Sequence, residues 1–230
     1  MSTRYNPSIV RDNLVLYLDA ANTKSYPGSG TTWKDISGKG HNATLDNGPT
    51  FSSGNMGYIS LDGTNDHIET GLSYNPSQPF SFTMMFRLDT IKEWHNLVDM
   101  FTSATNRNFQ LFVEGDGDFR IFWGNSTAGS HAITSPTTVA NVWYFGAFTC
   151  NGSGTAGTLY RYGNGTFDKA SASSGTATYS SKPVVLGRRG DSHSSGYVNG
   201  DISYFQFYNK ELTETQIKQN YNALKGRFGL

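Results

Sequence analysis

GYVNGDISYFQFYNKELTETQIKQNYNALKG, residues 196–226, is the stretch on which the fold of this chain turns. Ile202, Tyr204, Phe205, Phe207 and Tyr208 make a nearly continuous aromatic run, too apolar to leave either face of a strand in water. Something must therefore cover both faces. The spacing from Ile202 to Phe205 is odd and that from Phe205 to Phe207 is even, so these three share a face only if a bulge sits near Ser203 or Tyr204. The chain's one convincing helix comes directly after, over residues 214–224. Thr213 and Gln216 form an S/T-x-x-E/Q capping box, and Leu212 and Ile217 stand where a hydrophobic staple pins a helix entry. Ile217, Tyr221 and Leu224 then recur at helical spacing. Gly226 reads as the stop, with Lys225 and Arg227 at the negative end of the dipole. An aromatic strand closed late by a capped helix implies that the earlier strands build a sandwich which this segment completes.

Composition agrees. Among 230 residues there are 26 Gly, 13 Tyr and 15 Phe, with 16% charged, where an average soluble domain is nearer ~25% charged. These are aromatic strands joined by small-residue turns. We expect one domain over residues 14–230 behind a polar arm at 1–13, since a sandwich of this length can bury a single large core. The formal net charge of 0 removes the long-range field on which nucleic-acid or anionic-membrane binding relies. No run approaches the ~20 residues of a membrane span, and MSTRYNPSIVRDN carries no apolar signal segment. Cys150, with no second cysteine to pair with, reads as a buried small hydrophobe in an aromatic strand and not as a reactive thiol.

Along the chain, the first strand LVLYLD (14–19) runs into a long stretch of turn formers, AANTKSYPGSGTTWKDISGKGHNATL (20–45). Trp33 is its expected anchor, an indole buried at the sandwich edge. Asp19, Asn22, Asp35, Ser37 and Asn42 are the side chains available to fix its turns by Asx-type hydrogen bonds. Short strands at 58–61 and 67–70 flank DGTND. Strand pairs come next: NFQLFVE with DFRIFWG, then VWYFGAFTC with TLYRYG. Glycines at the turn between the first pair supply the positive φ a hairpin needs. DKASASSGTATYSS (168–181) reads as an exposed loop or edge. Many short strands with no mid-chain helix describe an all-β, two-sheet antiparallel sandwich.

The order of segments resembles the laminin G-like, concanavalin A-like jelly-roll family. LDGTNDHI matches its early turn, VWYFGAFTCNGSGTAGTLYRYGNG its W-x-x-V-A-x-T-Y-D-G strand and Y-x-N-G hairpin. Gly200, Ile202, Phe205, Phe207, Tyr208, Asn209, Leu212, Thr213 and Ile217 match its closing motif, G-x-I-D-x-V-x-I-Y-N-R-A-L-S-x-x-E-I. The opening residues 14–45 and the ending NALKGRFGL also look like the variety found in virion proteins of tailed bacteriophages, as fibre or decoration proteins. The resemblance implies a jelly roll that binds glycans or proteins through its rim loops. It also raises Ca2+ as a cofactor: by position Asn65 and Asp66 stand for one part of a metal site and Asp191 for another. Arg188 and Arg189 fall where further acidic or amide ligands are wanted, and calcium takes about 6 to 8 oxygens, so turn-fixing hydrogen bonds are the competing reading.

Other constellations point to chemistry less well. Glu114 and Asp118 have the i, i+4 spacing of a glycosidase pair, with Asp116 between them, but Gly115 and Gly117 make the segment a turn and not a rigid strand. His41, His67, His95, His131 and His193 show no ligand spacing. Arg189-Gly190-Asp191 and the N-x-S/T sequons at Asn42, Asn125, Asn151 and Asn164 are compositional in a chain this rich in Gly, Ser and Asn. Trp94 in KEWHN is the aromatic best placed to stack on a sugar, with core packing as the competing role. Arg189 and Tyr197 complete the expected ligand contacts. The expectation is a non-catalytic virion surface protein, exposed outside the cell, whose partners are other virion proteins or host-surface glycans and which can assemble as a homo-oligomer. A carbohydrate-binding module of a secreted bacterial protein is the alternative, and a glycoside hydrolase the weakest reading.

Overall fold

A computed structural model describes residues 8–101, 107–123, 131–134, 136–152, 156–172, 179–190 and 196–230. In chain order its strands are β1 (Leu14–Asp19), β2 (Thr32–Trp33), β3 (Ala43–Asp46), β4 (Thr50–Ser52), β5 (Tyr58–Asp62), β6 (His67–Tyr74), β7 (Phe80–Leu88) and β8 (His95–Phe101). They continue as β9 (Arg107–Val113), β10 (Phe119–Trp123), β11 (His131–Ile133), β12 (Trp143–Cys150), β13 (Gly157–Gly163), β14 (Thr166–Ala172), β15 (Lys182–Leu186) and β16 (Asn199–Tyr208). One helix, α1 (Glu214–Leu224), comes after them. The strands form two antiparallel sheets of eight. The back sheet has the order β14-β13-β12-β7-β16-β5-β4, with β1 also paired to β16; the front sheet has the order β11-β10-β9-β8-β15-β6-β3-β2. This is the expected jelly-roll sandwich with a short C-terminal helix.

β16 is the central rib of the back sheet. Along one side it pairs with β7; along the other it pairs first with β5, through Asn199–Ile202, and then with β1, through Tyr204–Tyr208. Its register against β7 slips between Ile202 and Tyr204, so Ser203 is the extra residue that the spacing demanded. The bulge lets Ile202, Phe205 and Phe207 face the core between the sheets, while Tyr204 and Tyr208 face the opposite side. Ser203 is itself buried, and its hydroxyl donates to the Gly57 carbonyl at 2.7 Å.

Aromatic rings fill the space between the sheets. Phe80 stacks on Phe207 with centroids 5.7 Å apart and Phe82 on Phe109 at 5.4 Å. Trp33 is fully buried in the same core and anchors the long 20–42 loop as expected. Within that loop Asp35 accepts from the backbone N–H groups of Tyr17, Ser37 and His41, which hold its carboxyl below the usual range against the upward push of burial.

A second core lies on the outer face of the back sheet. Leu212, Ile217, Tyr221 and Leu224 of the helical segment pack on Tyr17, Phe145, Ala147, Tyr160, Tyr204 and Tyr208, with Ile9, Val10 and Phe228 at its ends. Both halves of the capping box form: the Gln216 backbone N–H donates to the Thr213 hydroxyl at 3.3 Å, and the Thr213 N–H to Gln216 Oε1 at 3.0 Å. Asn220, fully buried, closes a polar ring beneath the helix by accepting from the Val10 N–H (2.8 Å) and donating to the Tyr208 hydroxyl (2.9 Å).

The helix end differs from expectation. Gly226 does not take the left-handed conformation of a stop; the chain tightens into a 3₁₀ turn over Lys225–Arg227, and the first positive φ comes at Gly229 (69°). Two side chains near the carboxyl terminus account for the difference. A tight continuation keeps Phe228 on the sheet, 4.9 Å from the Trp143 ring, and brings Arg227 to Asp19 through two hydrogen bonds of 2.7 and 3.0 Å. Arg227 thus serves an ion pair with a buried carboxylate and not the helix dipole.

Candidate functional site

Helix, amino-terminal segment and carboxyl-terminal turn cover much of the outer face of the back sheet. Among the described residues, no helix covers the outer face of the front sheet or the loops around its rim. Strand alternation sets what that face presents: β9 turns Phe109, Leu111 and Val113 into the core, which leaves Asn108, Gln110 and Phe112 on the outside. Trp94, in the loop between β7 and β8, lies over this face. Its ring stacks on Phe112 (5.1 Å, 27° between planes), and Phe112 stacks on Phe122 of β10 (5.1 Å, 17°). Phe112 is fully covered, whereas Trp94 and Phe122 are half-buried. Trp94 therefore packs on the sheet and leaves one part of the indole in water. Its backbone takes a left-handed φ of 63° to do so.

Beside the rings runs a line of carboxamides, which sequence reasoning missed. Gln110 donates to the Asn96 side-chain oxygen, and the Asn96 amide donates to the Gly196 carbonyl at 3.1 Å. Both side chains are almost wholly buried. The signal was present in the period-two pattern of NFQLFVE, but an outward Asn or Gln reads as solvated until the loop that covers it is known.

The rim loops are tied to one another. Lys92 Nζ donates to the Gly63 carbonyl (3.1 Å), joining the β7–β8 loop to the β5–β6 turn. The Asn96 N–H and the Gly196 carbonyl, 3.1 Å apart, join β8 to the loop before β16. Tyr197, in that loop, has its ring 6.4 Å from the His67 ring. Arg188 pairs with Glu69 and also donates to the Arg189 carbonyl at 2.9 Å; Arg189 is half-buried. His67 Nε2 stands 3.5 Å from Glu69, and the hydrogen bond with His67, joined by the Arg188 charge, holds the Glu69 carboxyl below its usual range. Trp94, Arg189 and Tyr197 thus belong to neighbouring loops of one rim.

Asn65 and Asp66 share the β5–β6 turn at the same rim. Asp62 organises that turn: its Oδ1 accepts from the N–H groups of Thr64 (2.8 Å), Asn65 (3.3 Å) and Asp66 (3.4 Å), which lowers its carboxyl. Asp66 accepts from the Asp62 N–H at 3.1 Å, and burial pushes its carboxyl up. Asp191 and His193 lie outside the described residues. Among the described residues no cluster of three or more His, Cys, Asp or Glu side chains is placed to hold a metal, and Asn65 with Asp66 alone supplies fewer oxygens than the about 6 to 8 that calcium takes.

The three acidic residues sit at a hairpin tip, as their glycines required. The Gly117 N–H donates to the Glu114 carbonyl (2.8 Å), and Gly117 has φ 83°. All three carboxylates gather on one guanidinium: Arg120 lies 2.6 Å from Glu114, 3.2 Å from Asp116 and 2.6 Å from Asp118. They neutralise a cation instead of facing each other across a cleft.

The model of the concanavalin A-like lectin/glucanases superfamily, in its laminin G variety, matches residues 62–218. The chain belongs to that superfamily. Its matched span runs from the β5–β6 turn to the middle of α1 and so includes the rim loops with Trp94, Arg189 and Tyr197. No curated protein matches the sequence. Among solved structures, a Trypanosoma rangeli sialidase in complex with sialic acid superposes with a TM-score of 0.67 at 12% identity, over 94% of this chain and 33% of that one. The binding domain of botulinum neurotoxin serotype D superposes with a TM-score of 0.64 at 16% identity, over 94% of this chain and 52% of that one. At these identities the likeness is one of fold, and this concanavalin A-like domain spans about a third to a half of the proteins it resembles.

Proposed function

We propose that this concanavalin A-like domain is a non-catalytic glycan-binding domain displayed on the surface of a virion, with the front-sheet rim as its contact surface. One observation carries the binding role: the half-exposed Trp94 ring, backed by Phe112 and Phe122, stands at the same rim as the Tyr197 and Arg189 loop and a charged group of His67, Glu69 and Arg188. A pyranose offers a flat C–H face and a fringe of hydroxyls, and a ring flanked by donors and acceptors answers both. A sialidase solved with sialic acid and a toxin binding domain share the fold, which supports a recognition role. The non-catalytic part rests on the acidic hairpin, whose carboxylates are drawn onto Arg120. The virion assignment rests on the likeness of residues 14–45 and of the chain's ending to phage virion domains. Repeated copies on a particle would let shallow contacts add through avidity.

The test combines a glycan array, reducing-sugar assays and mass spectrometry of purified particles. The native protein should bind a subset of glycans and release no sugar. Trp94→Ala, checked for folding by circular dichroism, should weaken binding by roughly tenfold, equivalent to about 1.4 kcal/mol. Binding unchanged by replacing Trp94, Arg189 and Tyr197 together would overturn the site, and absence from particles would overturn the virion role.

A further inference from the structure

The helix-covered back sheet carries a second surface that the front-sheet site does not use. Where α1 meets β13 and β14, three rings lie in a row: Tyr221 and Tyr162 have centroids 4.1 Å apart, and Tyr162 and Phe167 5.9 Å. An ammonium group stands at each end of the row. Lys225 Nζ is 5.1 Å from the Tyr221 centroid and Lys218 Nζ is 4.8 Å from the Phe167 centroid. The same residues, with Asn222, line an open cleft of about 260 Å³, a little below the ~300 Å³ at which drug-sized ligand pockets begin. Tyr162 and Phe167 are half-buried, Tyr221 beneath them is buried, and Asn222 is exposed.

The local charge is positive although the chain is neutral overall. Lys218 shares Glu214 with Lys169, at 2.6 and 2.7 Å, so one carboxylate faces two ammonium groups. Among the described residues no carboxylate lies within ion-pair reach of Lys225. Lys218 lies within α1 and Lys225 just past its end, seven residues on and about 10 Å along the axis, so their stems leave the backbone too far apart to be built around one anion.

We infer that this lysine-ended ribbon of rings binds an acidic oligosaccharide, a short chain of carboxylated pyranose units. Tyr162 and Phe167, backed by the buried Tyr221, meet the flat C–H face of a sugar, the lysines donate to successive carboxylates, and the Asn222 amide offers a donor and an acceptor to hydroxyls. An acidic peptide matches the charge but not the rings, because its carboxylates sit on flexible stems with no flat apolar face behind them. The inference stands independently of the front-sheet reading.

Titration of the isotope-labelled domain with trigalacturonate, cellotriose and hexaglutamate, followed by NMR, tests it. Trigalacturonate should shift the amide signals of residues 162–167 and 218–225, and cellotriose and hexaglutamate should not. Lys225→Gln, a change at a half-buried lysine outside both cores, should weaken trigalacturonate binding by roughly fivefold, and added salt should weaken it further. Phe167→Leu should weaken it while keeping the charge. Trp94→Ala should leave it unchanged, which separates this surface from the front-sheet rim. No shift in these segments, an equal response to cellotriose or hexaglutamate, or affinity indifferent to Lys225→Gln would each overturn the proposal.

Discussion

Asp19 shows how much of this fold rests on single side chains. Its carboxylate is 2% exposed, accepts from the Tyr17 hydroxyl at 2.7 Å and the Ala21 N–H at 3.1 Å, and is held by Arg227, which arrives from the far end of the chain. Removing one partner of a buried pair strands the other charge. Arg227→Ala should therefore cost about 3 kcal/mol in urea unfolding, and Asp19→Asn placed in the same chain should recover part of that loss. His95 is a second case. The ring is buried, with the Lys92 N–H 3.3 Å from Nε2 and the Asn199 N–H 3.4 Å from Nδ1. Burial, aided by the Lys92 charge, depresses its pKa from 6.5 to about 4. The unfolded chain then takes up a proton that the folded one refuses. Stability should be full above the unfolded value of about 6.5 and fall as pH drops from there towards 4, by roughly 3 kcal/mol at most. His95→Gln should flatten that slope, and a slope unchanged in the variant would refute the assignment. The long-range role of each was not legible in the sequence. Asp19 read as a turn-fixer, which its bond from the Ala21 N–H bears out, and His95 as one of five scattered histidines; the Arg227 pair and the burial of His95 depend on residues distant in the chain.

At the level of elements the sequence was far more open to reading. The bulge at Ser203, the staple between Leu212 and Ile217 and the capping box all depend on residues a few positions apart, and the structure has each of them. Thr213→Ala removes the hydroxyl that accepts the Gln216 N–H and should cost about 1 kcal/mol in thermal or urea unfolding. A loss near zero would mean that burial of Leu212 and Ile217 alone fixes the helix entry. Where reading failed, a tertiary demand had overridden a local signal. Gly226 carries a helix-stop residue, yet Phe228 and Arg227 both have destinations on the sheet that a left-handed turn would forfeit. The front-sheet carboxamides failed for a similar reason: alternation says that Asn108 and Gln110 point away from the core, and nothing in a strand's own residues says which loop will fold over them.

On the scale of the molecule, two cores share one sheet. β12, β13 and β16 offer residues to both, with Phe148, Leu159 and Phe205 on one side and Phe145, Tyr160 and Tyr204 on the other. A chain ending after Tyr208 would leave the second set in water. Such a truncation should lose cooperative unfolding and bind a hydrophobic dye, whereas a separable helix would leave the sandwich melting as before. Cys150, fully buried in the first core, reports the same coupling, since its thiol should react with a maleimide only at the rate at which the native sandwich opens. Both ends of the described chain lie on the helix side: the Ser8 carbonyl accepts from Gln219 at 2.8 Å, and Phe228 packs on Trp143. A tether at either end would therefore hold the domain by its back. On a sensor chip or bead coupled that way, the Trp94 rim would look out into the flowing sample. Random coupling through lysines would instead glue some copies down by Lys92, the residue that clasps two of the rim loops together, and blind them.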